Sequence, residues 1–201
     1  MSEITISILI ATMPTRWGAF NKLHTEIIKQ VKPYFENTPV YLGYTVVSDS
    51  SLKKIEILID NSIQYNIGTK RNKLLQRATG KYIVFIDDDD HISPDYVSKI
   101  LSACQTNADC IGISGIITTN GSDQRQWHIS KDYGSWHTSP DGTYLRTPNH
   151  ISPVKRELAL QAGFPEVSFG EDAEYSRRLL PLLKTETKVE GNIYHYDYWQ
   201  K

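Results

Sequence analysis

Four adjacent carboxylates, Asp87, Asp88, Asp89 and Asp90, follow an apolar run at residues 82–86 in the segment YIVFIDDDD. Side chains alternate along an extended chain, so Asp87 and Asp89 share one side and Asp88 and Asp90 the other, and one pair can converge on a divalent cation. A hard cation held this way keeps open positions for diphosphate oxygens. The plain alternative is an acidic surface turn that ends a strand. A second acidic group, GEDAEY, puts Gly170, Glu171, Asp172 and Glu174 at the start of an expected helix. The N-terminal dipole favours carboxylates there, which suits Asp172 to accepting a proton, although acids in a first turn are also ordinary capping.

Asp60 ends another apolar strand and is followed by Asn66, Gly68, Lys70, Arg71 and Asn72. A strand-end acid can accept hydrogen bonds from a base or ribose, and the two cations can neutralise phosphate. Without that context Asp60 is an Asx turn and the cations a solvated helix start. The dinucleotide fingerprint GxGxxG is absent. His195, in IYHYDYW, is a good ligand type for a transition-type divalent ion, and alternation turns Tyr194 and Tyr196 away from it. Residues 123–149 show no periodicity but carry Trp127, His128, Tyr133, Trp136, His137, Tyr144 and Arg146, with His150 just after them. That set is suited to stacking on a sugar or base, or to covering a sheet.

These residues need elements to position them. Apolar runs at 4–11, 40–47, 55–59, 82–86 and 111–117 read as buried strands. Phe20, Leu23, Ile27, Ile28 and Val31 recur at helical spacing until Pro33. A second helix is expected over 69–79 with Gly80 as left-handed cap, and a third from Ser93-Pro94-Asp95. A fourth should run from Ser152-Pro153 to Gly163, and a fifth over 171–180 before Pro181. Strands alternating with helices predict an α/β fold, an open, mostly parallel sheet with active groups beyond the carboxyl ends of its strands.

Composition narrows the function class. A chain of 201 residues fits one domain, and 22 Lys plus Arg against 23 Asp plus Glu give no field of one sign to attract nucleic acid or membrane. Only a local patch, from Lys131, Arg146, Lys155 and Arg156, could contact phosphates. No run reaches the length of a transmembrane segment, and Glu3 replaces the basic flank of a leader. Two cysteines, Cys104 and Cys110, read as reduced core residues, which fits a cytoplasmic location.

Taken in order, the motifs resemble the family 2 glycosyltransferases of the GT-A fold, a Rossmann-like mixed sheet flanked by helices. ISILIATMPTR is similar to the opening nucleotide-binding strand, with Thr12 and Arg16 at matching positions, and IEILIDNS to the strand whose acid, Asp60, faces the base. NIGTKRNKLLQRATGKYIVFIDDDD is similar to the run from the donor loop into the DXD motif. By that resemblance Asp87 lies near ribose or metal, beside Asp88, and Asp89 is a metal ligand. FGEDAEYSRRL resembles the ED motif, making Asp172 the general base beside Glu171, and His195 stands where many GT-A enzymes have a late metal-binding histidine.

The resemblance implies one domain over 1–201, with a nucleotide-sugar half at 1–90 and an acceptor and catalytic half at 91–201. It also implies inverting, Mn2+- or Mg2+-dependent transfer from a nucleotide diphosphate sugar, UDP-linked by commonest expectation. Gly68, Lys70 and Arg71 would serve the donor, and Trp127, Trp136 and His150 the acceptor. That acceptor is a saccharide or, alternatively, a hydroxymethylated base in DNA. A non-catalytic nucleotide-sugar-binding module is the other alternative, and a phosphohydrolase fits poorly because Thr12, Met13 and Pro14, not an acidic pair, follow the first strand.

Overall fold

Along the first strand Ile6, Ile8 and Ile10 pack into one apolar cluster, while Leu9, between them, packs into another. A strand with apolar residues on both faces must be covered on both, so helices are required above and below. The computed structural model, which describes residues 5–34 and 55–198, has this arrangement. Its elements are β1 (Ile6–Ala11), α1 (Trp17–Val31), β2 (Ile55–Asp60), α2 (Ile67–Arg77), β3 (Tyr82–Phe85), β4 (His91–Ile92), α3 (Tyr96–Cys104), β5 (Cys110–Thr119), β6 (Ser122–Ile129), β7 (His137–Thr138), β8 (Tyr144–Arg146), β9 (Val154–Lys155), α4 (Arg156–Ala162), α5 (Glu171–Leu179) and β10 (Glu186–Tyr198). The strand expected at 40–47 lies outside the described residues.

The sheet runs β2-β1-β3-β9-β5-β6-β8-β7, with β10 alongside β5 and β4. It is mixed: β1 lies parallel to both β2 and β3, the short β9 is antiparallel to β3 and β5, and β10 runs parallel to β5 over most of its length. Helices α1 and α3 cover one face through Phe20, Leu23, Ile27, Tyr96, Val97 and Ile100. Helices α2, α4 and α5 cover the other through Leu74, Leu75, Ala159, Tyr175 and Leu179. Burying side chains of this size stabilises by about 1.5–3 kcal/mol each. Because β1, β2 and β3 are parallel, Thr12, Asp60 and Asp87 all emerge at one edge, which is where such sheets carry their sites.

The helices fall where periodicity put them, and the differences have local causes. Gly80 is not a left-handed cap: a Cβ there would lie 2.6 Å from the Ser7 nitrogen, so glycine is needed for close approach to β1. Helix α3 starts at Tyr96 because the Ser93 hydroxyl donates to Asp95 and the Ser93 carbonyl accepts the Tyr96 N–H, forming a turn before the helix. Helix α4 starts at Arg156, since residues after Pro153 first form β9 between β3 and β5. Its end agrees with the sequence, with Gly163 at φ 56°. Residues 123–149 fold as an irregular extension of the sheet through β6, β7 and β8.

Cys104 and Cys110 are free and buried, and burial pushes the Cys104 thiol up to about 12. No helix among the described residues is long and apolar enough to cross a membrane.

Candidate active site

Lining a cleft of about 810 Å³ are Asp87 and Asp90 from the end of β3 together with Glu171 and Asp172 from the start of α5. The two acidic motifs, more than eighty positions apart in the chain, are joined by Arg71 of α2. Its Nη2 donates to Asp87 at 2.9 Å and its Nη1 to Glu171 at 2.6 Å. The guanidinium is 4% exposed and packs against the edge-to-face pair of Phe85 and Phe164, at 5.9 and 5.7 Å from their centroids. Both terminal nitrogens are thus committed to protein carboxylates, so Arg71 lines the cleft as the group that fastens its two acidic sides together. Glu171 is buried by the same pairing, whereas Asp172, whose Oδ1 accepts only from the Ala173 N–H at 2.8 Å, remains accessible.

Asp87 also lies 3.1 Å from the Nε2 of His150. Burial alone would raise its carboxyl, but the charges and hydrogen bonds of His150 and Arg71 outweigh that and hold it well below the usual carboxylate range. Asp90 has the opposite environment. Its Oδ2 accepts from the Tyr194 hydroxyl at 2.6 Å, its Oδ1 is buried without a partner, and burial with the neighbouring Asp87 charge pushes it well above the usual range. Tyr194 in turn accepts from the Asp87 N–H at 3.2 Å. Neither Tyr194 nor Asp90 was singled out from the sequence for this pairing; the alternation in IYHYDYW was the available signal, since it turns Tyr194 and Tyr196 inward.

A second cavity, of about 370 Å³, is lined by Thr12, Arg16, Lys70 and Asp88, and Ser168 borders both cavities. Asp88 is buried, accepting from Thr12 Oγ1 at 2.6 Å and lying 3.1 Å from Arg16 Nη2, and burial raises its carboxyl. Lys70 donates to the Thr12 carbonyl at 2.7 Å and has no carboxylate within ion-pair distance among the described residues. Burial lowers its pKa, partly offset by Asp60 and Asp88, and Lys70 borders this cavity as a desolvated cation. Asp60 accepts from the Ser62 N–H at 2.8 Å, the Asx turn that its sequence context allows.

Gly68 has a packing role. A Cβ on it would sit 1.9 Å from the Pro165 carbonyl oxygen, and its own N–H donates to Val167. Asn66 and Asn72 also hold this segment, by bonds to Glu166 and Phe164, so α2 docks directly on the stretch that delivers Ser168 and Asp172 to the cleft.

The remaining candidates divide. Trp127 and Trp136 line the cleft, the latter held by Nε1 donation to Thr147 and Ser176, and His150 lines it while bonded to Asp87. Asp89 is 39% exposed on its side chain, and its Oδ2 pairs with Arg16 while Oδ1 has no partner among the described residues. His195 does not line the cleft. Its Nε2 lies 3.2 Å from Asp197 and 3.4 Å from Thr118, with the His91 ring 5.9 Å away, on the strand face opposite Tyr196. Among the described residues no group of three His, Cys, Asp or Glu side chains is arranged to hold a metal ion. A cation bound through one carboxylate and completed by substrate phosphates and water needs no such cage, and Asp89 offers that oxygen.

Comparison with known proteins gives this geometry its family. The chain is 28% identical over 80 residues to the succinoglycan biosynthesis protein ExoM of Rhizobium meliloti (strain 1021), covering 40% of this chain and 26% of ExoM. Among solved structures it is similar to S. aureus TarS 1-349 in complex with UDP-GlcNAc, with a TM-score of 0.67 and 15% identity, covering 98% of this chain and 60% of that one. The same TarS segment in complex with UDP gives a TM-score of 0.66 at 16% identity, over 96% of this chain and 60% of that one. The chain therefore spans at most about three fifths of the length of these relatives, and the likeness to TarS establishes the GT-A fold. The family model described as glycosyl transferase family 2 matches residues 48–170, well over half of the sequence, and the chain belongs to that family.

Proposed function

We propose that this protein transfers a sugar from a nucleotide diphosphate sugar to a hydroxyl of a saccharide acceptor, with inversion at the anomeric carbon. The observation that carries the reading is the Arg71 bridge, which holds the acidic strand end and the acidic helix start in one cleft. The donor half is residues 1–90 and the acceptor half 91–201. A UDP-linked donor is favoured because the structurally similar TarS segment binds UDP-GlcNAc and UDP. Its diphosphate would be met by Lys70 and Arg16, and its nucleoside by Thr12, Asp60 and Asp88, while Asp87 orients the sugar.

The Asp172 carboxylate takes the proton of the acceptor hydroxyl as that oxygen bonds to the anomeric carbon, and the bond from carbon to the β-phosphate oxygen breaks with its electron pair leaving on the nucleotide. A divalent cation, Mn2+ or Mg2+, held through Asp89 and the donor's own phosphates would supply positive charge where the leaving group gathers negative charge. Trp127 and Trp136 offer flat faces on which an acceptor ring can stack.

A saccharide is favoured over a modified DNA base by the distribution of cations. Of the four basic residues that could track phosphates, Lys131 pairs with Asp132 and Lys155 with Asp109, and only Arg146 lines the cleft. Duplex binding depends on several unpaired cations along the backbone. Both buried thiols are unbridged, which supports a reducing, cytoplasmic setting.

The test is proton NMR of the protein with UDP-sugars, manganese and a panel of saccharides. Loss of the donor anomeric signal with appearance of a glycoside of inverted configuration is expected. Donor binding without any turnover to saccharide or water would leave only the non-catalytic module.

A further inference from the structure

In the large cleft that Asp172 also lines, Arg146 at the end of β8 is held by neutral groups without a carboxylate partner among the described residues. Its Nη1 donates to the carbonyls of His137 and Leu145 at 2.8 and 3.0 Å, and its guanidinium lies 5.3 Å from the Trp136 ring and 4.9 Å from the Tyr144 ring. Two carbonyls and two aromatic faces fix the plane of the group. No carboxylate lies within ion-pair distance among the described residues, and Nε and Nη2 have no protein partner there. Burial without a counter-charge lowers its pKa, a strain that a bound anion would relieve. The contrast with Arg71 is direct, because that equally stacked guanidinium spends both terminal nitrogens on carboxylates of this chain.

An arginine anchored on one nitrogen presents its remaining donors as a fork that matches two oxygens of a carboxylate or phosphate. The position matters as much as the chemistry. Arg146, Trp136 and Asp172 line the same cleft, so one acceptor bound there can meet the general base and the guanidinium together. We infer that the acceptor is an acidic saccharide, bound by its own oxyanion on the open edge of Arg146. This rests on the transferase reading of the cleft and narrows its acceptor. A single unpaired cation fits one anionic group on a sugar.

The experiment measures binding of four probes in the presence of UDP and manganese: a glucuronic acid disaccharide and its methyl ester, and a 6-phosphoglucose disaccharide and its dephosphorylated form. Wild-type protein should bind at least one anionic probe about tenfold or more tightly than its neutral partner, and the arm with the larger ratio identifies carboxylate or phosphate. Arg146→Gln should erase the ratio, and Arg146→Lys, which keeps the charge but not the fork, should retain only part of it. Equal binding of charged and neutral probes by wild type, no binding of either anionic probe at about 10 mM, a range that covers weak sugar contacts, or an unchanged ratio in Arg146→Gln would each overturn the inference. Affinity for UDP is read in the same titrations. Its presence with no charge preference removes only the acceptor assignment, whereas its absence removes the transferase reading.

Discussion

Asp172→Asn is expected to keep UDP affinity near the wild-type value and to lower sugar transfer by about two to four orders of magnitude, the range over which a positioned general base contributes. The substitution preserves shape and the local hydrogen bond from the Ala173 N–H, because the amide oxygen can still accept it. It removes only the capacity to take a proton. Asp172 lines the large cleft but not the smaller cavity of Lys70, Arg16 and Thr12, so donor binding has no reason to change. Initial rates of UDP release with saturating acceptor, set beside calorimetric UDP binding, separate the two properties. Near-normal turnover in this variant would remove Asp172 from the role of base, and Glu171 could not replace it while its carboxylate is committed to Arg71.

The second large effect concerns stability. Arg71→Met should cost about 3–5 kcal/mol in urea unfolding at pH 7.5, because removing the cation leaves Glu171 buried without its partner and Asp87 with His150 alone. The pH dependence distinguishes this from a simple packing defect. In the wild type the Asp87 carboxyl is held below its ordinary range, so its stabilising contribution is present above about pH 4 and is lost as the pH falls further. In the variant His150 still holds the Asp87 carboxyl down but the share of Arg71 is gone, so less stability is lost as the pH falls below about 4. The difference between wild type and variant should therefore narrow below that pH, and Arg71→Met combined with Glu171→Gln, which removes the buried charge left without its partner, should recover part of the loss at pH 7.5. A gap that is constant with pH would mean that Arg71 acts by volume alone.

Much of the fold was legible because local signals and burial agree. The strands at 55–59 and 82–86 and the first helix are marked by apolar periodicity that long-range packing then uses unchanged. Gly80 is no left-handed cap, because it is required by the approach of a distant backbone, that of Ser7; the approach of Pro165 likewise fixes Gly68, and no local pattern records either approach. The acidic motifs were visible as motifs, but not the object that joins them. Arg71 sits in a run that reads as a phosphate-binding helix start, and only tertiary placement of Glu171 and Asp87 on either side changes its meaning. For His195 the alternation was read correctly, and the structure adds that its face holds Asp197, Thr118 and His91. The Tyr194–Asp90 bond depends on β10 lying beside β5 and β4, a pairing across the chain that periodicity alone does not specify.

The central claim is that a nucleotide diphosphate sits in the cavity of Lys70 and Arg16, beside Asp89, and that its sugar reaches past Ser168 into the cleft where Arg71 joins the two acidic motifs and Asp172 meets the acceptor. A crystal structure with UDP and manganese, with the metal located by its anomalous scattering, tests it most directly. A manganese peak is expected on the Asp89 carboxylate, with the diphosphate against Lys70 and Arg16 and open space between the β-phosphate and Asp172. A nucleotide bound away from these residues, or Asp172 turned from the β-phosphate by an intervening element, would contradict it.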